Sequence, residues 1–93
     1  ILVINNGSYG TIRMHQEREY PARVSGTELV NPDFVTLAKA YGFYGERVEN
    51  TADFAAAFAR ARKSKTGALL ELVLATEAIT PRHTIDDLRA LSQ

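Results

Sequence analysis

The chain has 93 residues, with 11 basic and 11 acidic side chains and no cysteine. This length allows one small domain, and the lack of cysteine excludes a disulfide framework and a thiolate zinc site. The balanced charge gives no reason to expect a nucleic-acid partner, and no apolar run approaches the roughly 20 residues that cross a bilayer. We therefore expect a globular protein of the cytoplasm, with neither nucleic acid nor membrane as a partner.

The chain opens on four apolar residues, Ile1–Ile4. A run of this kind with no polar face predicts a strand buried on both sides, as in the centre of a parallel sheet. Such strands are normally reached by a crossover from an earlier element, and the first residue is not methionine. We therefore expect the 93 residues to be the carboxy-terminal part of a longer chain.

The next segments predict a turn, a helix and a long loop. Asparagine, glycine and serine at positions 5–8 are typical of a turn that ends a strand. A short helix is predicted from Tyr9 to about Arg18, followed by an irregular loop over Glu19–Asn31. Asn31 is then expected to cap a second helix, which starts at Pro32 and stops before Gly42.

The second half of the chain predicts strands and helices in alternation. The expected elements are a strand over 43–48, a helix over 52–63 capped by Thr51, a strand over 68–74, and a terminal helix opened by a capping box of Thr84 and Asp87. This order is typical of an α/β fold with a doubly wound parallel sheet, here of about three strands and four helices.

Polar residues gather where the first strand ends, in the run Asn5-Asn6-Gly7-Ser8-Tyr9-Gly10. Ligands of open parallel sheets bind beyond the carboxyl ends of the strands. The carboxamides can supply oxygen ligands to Mg²⁺ or Ca²⁺, and the following helix start can donate N–H groups to a phosphate. The alternative is a plain turn, because asparagine and glycine are common turn residues.

Three segments together resemble a known family. The run Ile4–Arg13, the Asn-Pro-Asp-Phe that begins at Asn31, and the strand Ala68–Leu72 resemble, in this order, the carboxy-terminal thiamine-diphosphate-binding domain of thiamine-dependent enzymes. The likeness is strongest to the branch of acetolactate synthase and benzoylformate decarboxylase. In that family a Gly-Asp-Gly precedes the paired asparagines and completes the metal signature.

The resemblance assigns roles to single residues. It implies that the Asn6 side-chain oxygen and the Ser8 backbone carbonyl bind Mg²⁺, which bridges the two phosphates of thiamine diphosphate. Gly7 and Gly10 would allow close approach of the backbone to the cofactor, and Asn5 would hold the turn. Tyr9 would either pack beside the cofactor or form the first turn of the following helix. The family takes its catalytic carboxylate from an earlier domain, so no catalytic residue is expected here.

For the parent enzyme, the resemblance implies an acetolactate-synthase-like transferase or lyase. The parent enzyme would act on a 2-keto acid and would form a homo-oligomer. The 93 residues alone would be inactive. Two alternatives stay open: a stand-alone α/β interaction module without cofactor, and a nucleotide-binding α/β protein. The second is weakened because the sequence contains neither a Gly-x-Gly-x-x-Gly nor a Walker-type lysine.

Two histidines also have alternative interpretations. His15 follows the signature, where it could contact a substrate carboxylate. The interpretation we favour is a solvated helix face, beside an Arg13–Glu17 pair at i,i+4 spacing. His83 is predicted to be a solvated loop residue.

Overall fold

The computed structural model describes residues 1–92 of the chain. Its elements in chain order are β1 (Leu2–Asn5), α1 (Gly10–Glu19), α2 (Phe34–Ala40), β2 (Tyr44–Val48), α3 (Phe54–Arg62), β3 (Ala68–Val73) and α4 (Ile85–Leu91). These elements form two compact units. The sheet unit comprises residues 1–5 and 31–74, and the helical unit comprises residues 6–30 and the segment that starts at Ala75. None of the helices within residues 1–92 is long and apolar enough to cross a membrane.

The three strands of the sheet unit are parallel and lie in the order β1-β3-β2. Leu70 in β3 lies opposite Leu2 of β1 and Glu46 of β2, which fixes the register of both pairs. β3 is almost wholly apolar because it is the central strand and has neighbours on both sides. The parallel α/β architecture expected from the sequence is therefore confirmed.

Helices cover both faces of this sheet. A Cβ atom added to Gly45 in β2 would lie 3.3 Å from the Cβ of Ala38 in α2. Val48, three residues further along the strand, packs in a core cluster with Ala57 of α3 and Leu70. Because strand side chains alternate between faces, α2 and α3 lie on opposite sides of the sheet. This is the doubly wound arrangement.

β1 differs from its predicted environment. It is an edge strand of the sheet, and Leu2 and Ile4 are 49% and 62% exposed. The prediction of burial on both faces is wrong in this structure, because β3 takes the central position. Both side chains lie on the α3 face, opposite Leu70 and Leu72 in register.

Two helix caps also lie elsewhere than predicted. Asp33, and not Asn31, caps α2 by accepting a hydrogen bond from the Thr36 N–H (3.0 Å). Thr51 begins a short 3₁₀ turn, and α3 starts three residues later at Phe54. In both places another polar residue stands close to the start of the helix, so the local pattern alone leaves the exact start undecided.

In the helical unit, α1 packs against α4. Ile85 and Leu88 of α4 are buried. The predicted capping box is confirmed, because the Asp87 N–H donates to the Thr84 hydroxyl and the Thr84 N–H donates to the Asp87 carboxylate. Two orphan N–H groups are thereby satisfied at the start of a helix of only seven residues.

Candidate metal and cofactor site

The candidate ligands lie in the short segment between β1 and α1. The Ser8 N–H donates to the side-chain Oδ1 of Asn6 at 3.1 Å. Gly7, between them, has a φ of +66°, in the left-handed region that favours glycine. The segment is therefore a tight turn closed by the Asn6 carboxamide, and the oxygen of that carboxamide keeps a second lone pair.

The backbone around Ser8 pairs with a distant loop. Ser8 and Glu28 form an isolated antiparallel bridge. The bridge is made by two backbone hydrogen bonds, from the Tyr9 N–H to the Thr27 carbonyl (2.8 Å) and from the Leu29 N–H to the Gly7 carbonyl (3.0 Å). Ser8 is thus in a non-hydrogen-bonded position, where its own N–H and C=O point away from the partner segment.

The two oxygens of Ser8 have different surroundings. The hydroxyl donates to the Thr27 carbonyl at 3.0 Å, and the Ser8 and Thr27 residues are only 6% and 3% exposed. The backbone carbonyl shares the side of the strand on which the N–H meets Asn6 Oδ1. Asn6 Oδ1 and the Ser8 carbonyl are therefore candidate ligands on the same side of the backbone.

Gly10 leaves space for the Asn6 side chain. A Cβ atom on Gly10 would lie 2.8 Å from Asn6 Nδ2, and the next contact would be Ile79 Cδ1 at 3.8 Å. Real Cβ atoms do not approach another heavy atom so closely. The first residue of α1 therefore has to be glycine for the carboxamide to keep this position.

Tyr9 caps α1 through its backbone, and the residue is half exposed (53%). Its carbonyl accepts the first helical bond from the Arg13 N–H at 2.9 Å. The first turn of α1, with its backbone N–H groups, therefore comes directly after the turn that the Asn6 carboxamide closes.

A residue from the far end of the sequence completes this turn. The Thr76 hydroxyl donates to the backbone carbonyl of Asn6 at 2.8 Å. No sequence pattern links Thr76 to this turn, because a separation of 70 residues leaves no spacing signal for the contact.

Asn5 has a different environment, in the sheet unit. Its Nδ2 donates to Glu71 Oε1 at 2.7 Å, and its Oδ1 accepts a bond from Asn31 Nδ2 at 2.9 Å. Glu71 is only 4% exposed, so the carboxamide satisfies a buried carboxylate. The side chain of Asn5 is thus engaged on both of its polar atoms.

The polar face of α1 contains a buried ion pair that the sequence did not reveal. The expected Arg13–Glu17 pair is present, with 3.7 Å between Arg13 Nη2 and Glu17 Oε1. Glu17 is fully buried, however, and receives Arg89 Nε at 2.7 Å and the Ala22 N–H at 2.9 Å. The Arg89 guanidinium holds the pKa of Glu17 down to about 2, against the opposing effect of burial.

Both histidines lie on the exposed surface. Arg18 Nη2 donates to His15 Nδ1 at 2.7 Å, and the His83 N–H donates to the Thr80 hydroxyl at 2.7 Å. Across residues 1–92 no group of three or more histidine, cysteine, aspartate or glutamate side chains is placed to hold a metal ion.

Comparison with known proteins identifies the family. Residues 1–72 match the family model described as thiamine pyrophosphate enzyme, C-terminal TPP binding domain. The mitochondrial acetolactate synthase catalytic subunit of Saccharomyces cerevisiae is 36% identical over 72 residues, which is 77% of this chain and 10% of the relative. The mitochondrial acetolactate synthase of Schizosaccharomyces pombe is 36% identical over 75 residues, 81% of this chain and 11% of the relative.

A bacterial relative gives the same result. The acetolactate synthase large subunit of Corynebacterium glutamicum is 38% identical over 68 residues, which is 68% of this chain and 11% of the relative. The chain thus spans about a tenth of the length of these curated relatives. The family match covers more than half of the chain, and the parallel α/β fold agrees with it. The chain belongs to the family of carboxy-terminal, thiamine-pyrophosphate-binding domains of thiamine pyrophosphate enzymes.

Proposed function

We propose that the segment Asn6–Gly10 forms part of a Mg²⁺ and thiamine-diphosphate site. The observation that carries the proposal is the turn in which Asn6 Oδ1 accepts the Ser8 N–H at 3.1 Å. This turn brings a carboxamide oxygen and the Ser8 carbonyl to one side of the backbone. Uncharged and charged oxygen donors are the ligands that Mg²⁺ prefers.

The surroundings of the two oxygens fit a diphosphate. Gly10 has no Cβ, and α1 begins at this residue with the unpaired N–H groups of a first helical turn. Such a turn is a favourable place for a phosphate oxygen. Tyr9 is half exposed and is the N-cap residue of this helix, and we propose that its ring packs against the cofactor.

These residues supply only part of the binding site. The 93 residues contain no Gly-Asp-Gly, and a divalent ion held by diphosphate is normally also bound by a carboxylate. We propose that this carboxylate comes from another segment of the complete enzyme. When bound, thiamine diphosphate supplies a carbanion that adds to keto carbonyls. Asn6, Ser8 and Gly10 hold its diphosphate end.

The names of the relatives support a proposal for the complete enzyme. All three are acetolactate synthases. We propose an acetolactate-synthase-like transferase or lyase that acts on 2-keto acids as a homo-oligomer, in which the 93 residues alone are inactive. The cytoplasm is our proposed location from composition, and cell fractionation tests it against the mitochondrial location in the names of the two yeast relatives.

The experiment replaces the proposed metal ligand in the full-length protein that carries these residues. We expect Asn6→Ala to raise the dissociation constant for thiamine diphosphate, measured by titration calorimetry in the presence of Mg²⁺. The matched control is Asn50→Ala, which removes an exposed carboxamide in the sheet unit, bonded only to Asp53 at 3.4 Å among the contacts described. Equal affinities of Asn6→Ala and the unmodified protein would refute the assignment.

A second observation decides between the enzyme and the stand-alone interaction module. We expect the coding sequence to place a Gly-Asp-Gly within about 40 residues before Asn5, the length of one strand–helix crossover. If the natural chain has no such motif and does not bind thiamine diphosphate with Mg²⁺, the interaction module becomes the better account.

A further inference from the structure

We propose that Thr76 is a positioning residue for the metal ligand Asn6, an inference that rests on the proposed Mg²⁺ and thiamine-diphosphate site. Its hydroxyl donates to the Asn6 backbone carbonyl at 2.8 Å, and this contact lies within the helical unit. The hydroxyl thus bonds to the backbone of Asn6 and not to its proposed ligand oxygen, Oδ1. It would act on the metal by fixing the backbone from which the ligand side chain projects.

The bond from Thr76 restricts a part of the turn that contains glycine. The Asn6 carbonyl belongs to the peptide plane that leads into Gly7, and glycine is the residue with the most backbone freedom. A rotation of the Asn6–Gly7 peptide would break the 3.1 Å bond between the Ser8 N–H and Asn6 Oδ1. A hydrogen bond to the carbonyl of this peptide limits the rotation directly.

Thr76 is well suited to the task. Its side chain is half-buried, which shields the bond from competition with water. A β-branched side chain has few χ1 rotamers, so its hydroxyl is held in place before the bond forms. Serine can make the same bond, whereas valine has the shape of threonine but cannot donate.

The other end of the turn is already fixed. Thr27, through its carbonyl, accepts bonds from both the Ser8 hydroxyl (3.0 Å) and the Tyr9 N–H (2.8 Å). The Ser8 carbonyl, the second proposed ligand, therefore has its own support. Thr76 fixes the Asn6 end, so the two oxygens are held at a set separation by contacts from two distant segments. Mutation of residues that hold a metal's ligands in place, without binding the metal themselves, typically changes metal affinity.

The experiment compares three variants in the full-length protein that carries these residues. Thr76→Val removes the hydroxyl, and Thr76→Ser keeps it. The matched control is Thr66→Val, because Thr66 also donates to a backbone carbonyl at 2.8 Å, that of Gly42 in the sheet unit. The measurement is the Mg²⁺ concentration that gives half-maximal binding of thiamine diphosphate, together with the melting temperature without Mg²⁺.

We expect Thr76→Val to raise the half-saturating Mg²⁺ concentration by about three- to tenfold, the effect of one lost hydrogen bond. Thr76→Ser should restore the unmodified value within about twofold, since it restores that bond. Thr66→Val should leave the value unchanged while lowering the melting temperature, which separates a role at the metal from a purely structural one.

The two proposals fail in different ways. If the unmodified protein shows no Mg²⁺-dependent binding of thiamine diphosphate, the proposed function is wrong. If the unmodified protein binds and Thr76→Val binds with the same Mg²⁺ dependence, Thr76 has no positioning role. Failure of Thr76→Ser to recover affinity overturns it equally. If Thr76→Val does not fold, Thr76→Ala provides the same comparison with less bulk.

Discussion

The Arg89 guanidinium donates two hydrogen bonds to the buried carboxylate of Glu17. Nε lies 2.7 Å from Oε2, and Nη2 lies 2.8 Å from Oε1. This paired bond joins α1 to α4 across 72 residues of sequence. Glu17 is fully buried and also accepts the Ala22 N–H at 2.9 Å. Removing the main partner of a buried charge is strongly destabilising, because the remaining charge is left without compensation.

Removal of the arginine should therefore destabilise the chain strongly. We expect Arg89→Met to lower the free energy of unfolding by about 3–5 kcal/mol, because the Glu17 carboxylate would stay buried without its main partner. Urea denaturation followed by circular dichroism measures the change. Arg23→Met is the matched control, since Arg23 is exposed in the loop of the same unit. Equal losses in the two variants would show that the pair contributes nothing specific.

The same pair predicts a loss of stability in acid. The pKa of Glu17 is lowered from 4.5 to about 2, chiefly by the hydrogen bonds from Arg89. A carboxylate with a depressed pKa in the folded state stabilises the fold above its unfolded pKa. This contribution, about 3 kcal/mol, should disappear as the pH falls from 4.5 towards 2. Denaturation curves across this range measure it, and Glu17→Gln should have a flatter pH dependence than the unmodified chain.

The sequence predicts those helices, strands and caps that depend on residues close together in the chain. The capping box of Thr84 and Asp87, the strand that begins at Ala68 and the alternation of strands and helices each follow from residues that are near neighbours in sequence. The start of α2 was predicted wrongly because Asn31 and Asp33 are both good caps. Asn31 instead donates to Asn5, a partner that no local pattern reveals.

In the candidate site, too, contacts between sequence neighbours could be predicted and contacts between distant residues could not. The turn at Asn6 and Ser8 could be predicted, because its hydrogen bonds join residues two positions apart. The contacts that support it could not, because Thr76 and Thr27 are distant in sequence. The burial of Glu17 was also hidden, since a lone polar helix face looks solvated until its partner on α4 is known.

The exposed side chains of β1 predict self-association of the isolated 93-residue chain. Ile4 is 62% exposed and Leu2 is 49% exposed on an edge strand. Apolar edge strands readily pair with another chain, and a lysine on the edge prevents it. We expect sedimentation velocity to show concentration-dependent association, and Ile4→Lys to reduce it. The control is Val30→Lys, an exposed apolar position outside the strands. A monomer at every concentration would contradict the prediction.

The variant Gly10→Ala should separate an effect on stability from an effect on cofactor binding. A Cβ atom at this position would lie 2.8 Å from Asn6 Nδ2, the end of a flexible side chain that can move aside. Gly10→Ala should therefore displace the carboxamide and not the backbone. Alanine also favours the helix by up to about 1 kcal/mol over glycine, so the melting temperature should stay constant or rise.

In the full-length protein that carries these residues, we expect Gly10→Ala to weaken Mg²⁺-dependent binding of thiamine diphosphate by about tenfold, since one ligand loses its position. Thr11→Ala, at the next and exposed position of α1, is the control and should bind normally. A double-mutant cycle identifies the cause: in an Asn6→Ala background, Gly10→Ala should have no further effect on affinity. Additive losses would mean that the alanine obstructs the cofactor directly, and that the Asn6 carboxamide is not the group displaced.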